Sequence, residues 1–178
     1  MLKSWFNMIA KNGAAEINIF DEIGGWGINF QTFEAQLKAL GDVKSIRLRI
    51  NSPGGDIMDG FAMYNLLKNH PADIEGIVEG YAASMASVIL MAADTITMPG
   101  NTFLFIHNPW TVSVGGAEQL RNDANALDKM RVGIIAAYRS HAKELSDADI
   151  SDLMDKESWI SADEAKTYGL IDLSLIHI

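Results

Sequence analysis

The chain has 178 residues, 48% of them hydrophobic, with 14 basic and 23 acidic side chains for a net charge of −9. That size and apolar content suit one domain spanning residues 1–178 with a core of its own, too short for two domains and too apolar for an unfolded chain. The acidic balance speaks against a nucleic-acid partner, whose phosphates need basic side chains, and the absence of cysteine excludes disulfides, thiolate metal sites and a cysteine nucleophile.

Strand and helix patterns alternate along the chain, which predicts an α/β layered fold. Residues 5–10 are apolar too briefly for the core of a signal peptide. A short apolar strand is expected at 17–20. Over 29–40, Phe30, Phe33, Leu37 and Leu40 recur at helical spacing, with Gly41 as the residue that ends the helix. Ile46, Leu48 and Ile50 alternate with Ser45, Arg47 and Arg49, the period of a half-buried strand. A helix over 57–69 stops before Pro71, and a strand follows at 74–78. A turn of small residues then leads into the apolar run 84–93, and two more strands are expected at 95–98 and 103–106. The uncharged stretch 80–93 is shorter than the roughly 18 residues of a membrane span. The longer one, 95–117, is broken by Asn101, Asn108, Pro109 and Gly115-Gly116. A soluble, cytoplasmic protein with no membrane partner is therefore expected.

The last third changes character. From 117 to 145 there is no proline and Gly133 is the only glycine, while Leu120, Leu127, Ile134, Tyr138, His141 and Leu145 share one side of a helix together with Arg131. Such a helix would run about 40 Å at 1.5 Å per residue, so part of it is expected to project beyond its own domain. Ser146 with Asp149, and Ser161 with Glu164, are capping-box pairs that open two shorter helices, the second ended by Gly169. From Glu144 to Glu164 eight side chains are acidic and Lys156 alone is basic, the pattern of a solvated acidic face.

Four features could carry chemistry. Asn51-Ser52-Pro53-Gly54-Gly55-Asp56 lies where a strand gives way to a helix. Its paired glycines can turn backbone N–H groups toward an anion, although a plain connecting turn would look the same. No Lys-Ser or Lys-Thr pair closes it, so it is not a P-loop. Ser84, within Gly80-Tyr81-Ala82-Ala83-Ser84-Met85-Ala86-Ser87, follows a strand and is flanked by small residues, the setting of an exposed nucleophile. A tightly packed helix start would also place a serine there, and Ser87 competes with it. His107 leaves a strand for the loop Asn108-Pro109-Trp110, within reach of a neighbouring site as a general base. His70, His141 and His177 have no comparable setting. Finally, Asp155 and Glu157 precede the helix capped by Ser161, and either could orient a histidine. Each feature alone has a structural explanation. Together they supply a nucleophile, a base, an acid and backbone donors, in the chain order Ser, His, acid.

These motifs resemble the Clp protease proteolytic subunit family. The matching pieces are Ser52-Pro53-Gly54-Gly55, Gly80-Tyr81-Ala82-Ala83-Ser84-Met85, Ile106-His107, Ile160-Ser161-Ala162-Asp163-Glu164-Ala165 and Tyr168-Gly169-Leu170-Ile171-Asp172, spread over residues 17–172. Ala82-Ala83-Ser84-Met85-Ala86-Ser87-Val88-Ile89, His107-Asn108-Pro109 and Glu157-Ser158-Trp159 resemble the phage and prophage branch, whose members are head-maturation proteases.

The resemblance implies a crotonase-like α/β fold and a serine endopeptidase that needs no metal or organic cofactor. Ser84 would be its nucleophile and His107 its base, with the N–H groups of Gly55 and Met85 as the oxyanion hole. The acid is Glu157 where the family usually has Asp, with Asp155 as the rival. The long helix 117–145 would be the handle through which two homo-oligomeric rings stack and enclose a polypeptide substrate. The segment before Ile17 does not match the family's axial loops, which leaves partnership with an ATP-driven unfoldase open. The tail 174–178 departs from the pattern and reads as a ragged end. Two other readings share the fold: a ring-forming structural protein without activity, and a crotonase-type acyl-CoA hydratase or isomerase. The Ser-His pairing disfavours the second, since such enzymes generally work with carboxylates.

Overall fold

Period-2 burial in the first half of the chain builds a sheet with one dry face, and the amphipathic segments between the strands cover it. The computed structural model describes residues 6–175. A hairpin of β1 (Phe6–Lys11) and β2 (Ala14–Ile19) leads through α1 (Phe30–Ala39), β3 (Ser45–Ser52) and α2 (Ile57–Lys68) to the long strand β4 (Asp73–Ala83). Then come α3 (Met85–Leu90), β5 (Thr95–Pro99), β6 (Phe103–Ile106) and the long helix α4 (Ala117–His141). The chain closes with α5 (Asp147–Asp155), β7 (Ser158–Ser161), α6 (Ala162–Thr167) and β8 (Leu173–Leu175).

The strands form one eight-stranded sheet in the order β1-β2-β3-β4-β5-β8, with β6 and β7 branching from β4. β2 through β5 and β8 run parallel, and β1 is antiparallel to β2. Ile46, Leu48 and Ile50 are buried as their alternation predicts, and they share a core with Phe33 and Leu37 of α1 and Met63 and Leu67 of α2. On the other face Arg47 pairs with Glu75 at 3.0 Å, and Arg49 with Glu79 at 2.6 Å, across neighbouring strands.

β4 is the hinge of the layout. Glu75 to Ile77 pair with β5, whereas Tyr81 to Ala83 pair with β6, so the sheet forks along a single strand. The stretch 79–83, expected to turn, instead continues the strand to the residue before Ser84. Gly80, Ala82 and Ala83 suit the crowded fork because they leave room for two neighbours.

Four other differences from the sequence reading stand out. Asn12 and Gly13 both have positive φ (56° and 77°), which makes the tight turn of the β1-β2 hairpin. Helix α4 ends at His141, four residues short of the expected 145, because Ala142 leaves helical geometry at φ −79°, ψ 71°. The chain needs that break to bring Ser146 round as the cap of α5, where both bonds of the Ser146–Asp149 capping box form. In the tail, Ser174 and Leu175 are strand residues paired with Met98 and Pro99 rather than ragged, while 176–178 and His177 with them lie outside the described residues. β7, a short strand that the sequence did not announce, matters most for the site.

None of the first seventeen residues of α4, 117–133, is buried, and its buried side chains are Ile134, Ala137 and Tyr138. Among the described residues no helix is long and apolar enough to cross a membrane.

Candidate active site

Three parallel strands, β3, β4 and β6, deliver their C-terminal ends to the same place. Ser52 is paired with Ala82, and Ala83 with Phe105. The residues just beyond these pairs are therefore neighbours: Gly54-Gly55 after β3, Ser84 after β4 and His107 after β6. Ligand sites in open α/β sheets form at such carboxyl ends, where neighbouring connections diverge.

Ser84 sits at φ 53°, ψ −128°, a conformation that a residue with a Cβ adopts at a strain of about 1–3 kcal/mol. The surroundings hold it there: its N–H donates to the Phe105 carbonyl at 2.9 Å, and its own carbonyl accepts from the Ser87 N–H at 3.0 Å. Behind it all six residues of α3 are buried. The turn presents Oγ to the imidazole of His107, with Nε2 at 2.8 Å.

Gly54 and Gly55 approach this turn in ways only glycine permits. A Cβ on Gly54 would lie 2.5 Å from the Ala83 carbonyl oxygen and 2.7 Å from the Ser84 Cβ, and φ there is +87°. One on Gly55 would lie 2.1 Å from the Ile23 carbonyl oxygen. Ile23 bonds to the residues either side of Gly55, donating to the Gly54 carbonyl and accepting from the Asp56 N–H, both at 2.8 Å. Gly55 thus directs its own N–H away from Ile23. Met85, the first residue of α3, has an N–H with no partner inside the helix. Gly55, Met85, Ser84 and His107 all line one cleft of about 1010 Å³, walled on its far side by Leu127 and Met130 of α4.

His107 is half-buried. Burial pulls its imidazole below the ordinary histidine range, and the Glu157 carboxylate opposes this only in part. The ring stacks on Phe105, with centroids 5.2 Å apart and planes at 22°, and Trp159 backs Phe105 at 4.7 Å. Reading the residues alone passed over this stack, whose signal was the aromatic at every second position of 103–107.

β7 brings the acidic residues to the base. It pairs antiparallel with β6, placing Ser158 opposite Ile106, so the next residues outward are Glu157 and His107. Glu157 is exposed and has a φ of 49°, joining Ser84 and Asn12 as the non-glycine residues with positive φ among those described. No hydrogen bond joins Glu157 to His107 among the described residues; the two interact through the carboxylate's charge. Asp155 is engaged elsewhere, accepting from Asn108 Nδ2 at 2.9 Å and from Arg131 Nη2 at 2.7 Å. The Asn108 hydrogen bond above all, with help from Arg131, keeps the Asp155 carboxyl below the usual carboxylate range.

Ser87, the competing serine, is fully buried, with its hydroxyl on the Ser84 carbonyl at 2.6 Å and the Tyr138 hydroxyl at 2.7 Å. His141 pairs with Asp172 at 3.1 Å, away from the cleft. Among the described residues no group of three or more His, Cys, Asp or Glu side chains could hold a metal ion.

The profile of the Clp protease family matches residues 28–176. An ATP-dependent Clp protease proteolytic subunit from Bacteroides fragilis is 34% identical over 151 residues, covering 82% of this chain and 72% of the relative. The one from Pleurastrum terricola is 32% identical over 140 residues, 77% of this chain and 70% of its own length. Subunit 3 from Rhodococcus jostii is 34% identical over 146 residues, 78% and 70% of the two chains. With the match running through all three strand ends that meet at Ser84, the chain belongs to the Clp protease family.

Proposed function

We propose that the protein is a serine endopeptidase, and the 2.8 Å contact between Ser84 Oγ and His107 Nε2 carries that reading. His107 Nε2 takes the Ser84 proton as Oγ attacks the peptide carbonyl. The negative charge that develops on the carbonyl oxygen is received by the N–H groups of Gly55 and Met85. The imidazolium gives its proton to the leaving amine, and a water activated by the same nitrogen then releases the acyl group from Ser84. A half-buried histidine held neutral suits the first step, because only the neutral ring accepts the proton. Glu157 is the acid that stabilises the imidazolium, through its charge and its place opposite His107 in the β6-β7 register.

The substrate is polypeptide. The match to Clp protease proteolytic subunits supports a ring-forming homo-oligomer of crotonase-like chains. The outer part of α4, with no buried residue over 117–133, is the handle that joins two rings. His107-Asn108-Pro109 and Glu157-Ser158-Trp159 support a place in the phage and prophage branch and so capsid or scaffold processing.

A fluorophosphonate probe tests the reading. It should label the protein at Ser84, and Ser84→Ala should lose both labelling and peptide hydrolysis while the fold stays intact. A folded wild-type protein that resists the probe and leaves peptides uncut would overturn it. Binding of an acyl-CoA by such a protein would favour the hydratase or isomerase reading instead.

A further inference from the structure

Asp155, the last residue of α5, has a task that the acid's role does not account for. Its Oδ1 accepts two donors from different parts of the chain: the side-chain amide of Asn108, in the residue after His107, and the guanidinium of Arg131 on α4. Arg131 is itself anchored to α5 by hydrogen bonds to the Ser151 carbonyl and hydroxyl oxygens. The other polar atom of Asn108, Oδ1, is buried without a donor among the described residues, so among them the bond to Asp155 is the one polar anchor of that side chain. No helix or strand holds the chain from 107 to 116, because β6 ends at Ile106 and α4 starts at Ala117. The base of the proposed mechanism therefore sits on the first residue of a stretch without ladder bonds.

From this arrangement we propose that the Arg131–Asp155–Asn108 cluster is a clamp that positions His107, with Asp155 acting through Asn108 and not on the imidazole. Three elements set the clamp. α4 supplies the cation, the end of α5 supplies the acceptor, and the loop after β6 supplies the amide. The stack on Phe105 restrains the imidazole by its face, and the clamp restrains the backbone that carries it. The sequence holds a trace of this: Arg131 is the lone cation on the stripe of α4 that otherwise carries apolar residues and His141.

The proposal rests on the peptidase reading only for its kinetic arm, so two measurements are paired. Asp155→Ala removes the acceptor, and Asp155→Asn keeps a neutral oxygen for Asn108 and Arg131. If the clamp positions His107, Asp155→Ala should lower kcat and the rate of probe labelling by roughly 10- to 100-fold, the scale of a small misplacement of a reacting group. KM should stay within about twofold, and Asp155→Asn should recover most of the rate. Asn108→Ala cuts the same bond from the loop side. It should match Asp155→Ala, and the double variant should be no worse than either single change. Equal losses in Asp155→Asn and Asp155→Ala would overturn the proposal in favour of Asp155 as the charged acid. An unchanged rate per folded molecule, with only the melting temperature lowered, would also overturn it. The second measurement is the His107 imidazole resonance in Ser84→Ala, which needs no activity. Asp155→Ala in that background should shift or broaden the resonance, and an unmoved one would sink the clamp. Should wild-type protein resist the probe, the peptidase reading fails and this resonance still decides the clamp.

Discussion

The hydroxyls of Ser87 and Tyr138 lie 2.7 Å apart in the core, joining the short helix behind Ser84 to the buried part of α4. Burial holds the Tyr138 phenol far above its ordinary range despite the bond to Ser87, so it remains a proton donor. The bonds then run in one direction: Tyr138 donates to Ser87, and Ser87 donates to the carbonyl of Ser84 at 2.6 Å. A polar chain of this kind is structural.

Ser87→Ala should therefore destabilise the protein by roughly 1–3 kcal/mol, the effect of leaving a buried phenol unpaired. Probe labelling of Ser84 should stay within about threefold of wild type, less than a 1 kcal/mol change in barrier. Denaturant unfolding and labelling measure the two halves. Complete loss of labelling in a folded variant would make Ser87 the nucleophile.

The pH dependence of labelling reports on His107. Because burial lowers its pKa, the rate should rise with pH to a plateau through a midpoint below the ordinary value of about 6.5. Glu157 raises that pKa, so Glu157→Gln should move the midpoint further down while lowering the plateau by roughly two to four orders of magnitude, as triad-acid losses do. An upward shift of the midpoint would rule out the charge interaction between the two.

Acid stability follows from the same sign. Burial also lowers the pKa of His70, whose Nδ1 accepts the Ala72 N–H at 3.1 Å. A depressed histidine binds fewer protons folded than unfolded, so stability is fully present above about pH 6.5 and declines as pH falls through the folded-state values. His70→Gln should flatten part of that decline in urea titrations between neutral and mildly acid pH. An unchanged slope would mean that His70 does not titrate differently in the two states.

Gly54→Ala tests the approach of β3 to the serine turn. The added Cβ would collide with the Ala83 carbonyl and the Ser84 Cβ at a backbone angle only glycine readily adopts. Labelling should fall at least about tenfold, since the reacting geometry shifts by more than the site tolerates. A fully active variant would show that the loop can withdraw without disturbing Ser84.

Assembly is checked by native light scattering. The handle reading predicts particles several times the 19.5 kDa of one chain. Leu120, 44% exposed on the outer part of α4, is a natural place to break them. Burying such a side chain contributes roughly 1.5–3 kcal/mol, so Leu120→Glu should yield smaller particles. A fully active wild-type monomer would remove the ring from the proposal and leave the chemistry standing.

What was legible in the sequence was local. Ile46, Leu48 and Ile50 declare their strand by period, and the capping pairs at Ser146 and Ser161 declare two helix starts. Ser84 and His107 were each readable as residues leaving a strand. That the strands run side by side depends on the fork in β4, and Gly80, Ala82 and Ala83 read equally well as a turn or a crowded strand. The acid was harder still. Glu157 and Asp155 are two residues apart, and only the pairing of β7 with β6 sets one beside the base and the other beside Asn108. Register between distant segments leaves no mark on either segment alone.

The complete burial of α3 divides the proposed chemistry unevenly between its two partners. Amide hydrogens of Ser87–Leu90 should be among the last in the chain to exchange with deuterated solvent, opening only when the whole core opens. The stretch beginning at His107 has no such anchorage and should exchange early. In the proposed assembly, a neighbouring subunit or a bound peptide would reach the rate through that stretch. The serine is held by a buried helix, and the histidine's side can be tuned without opening that core.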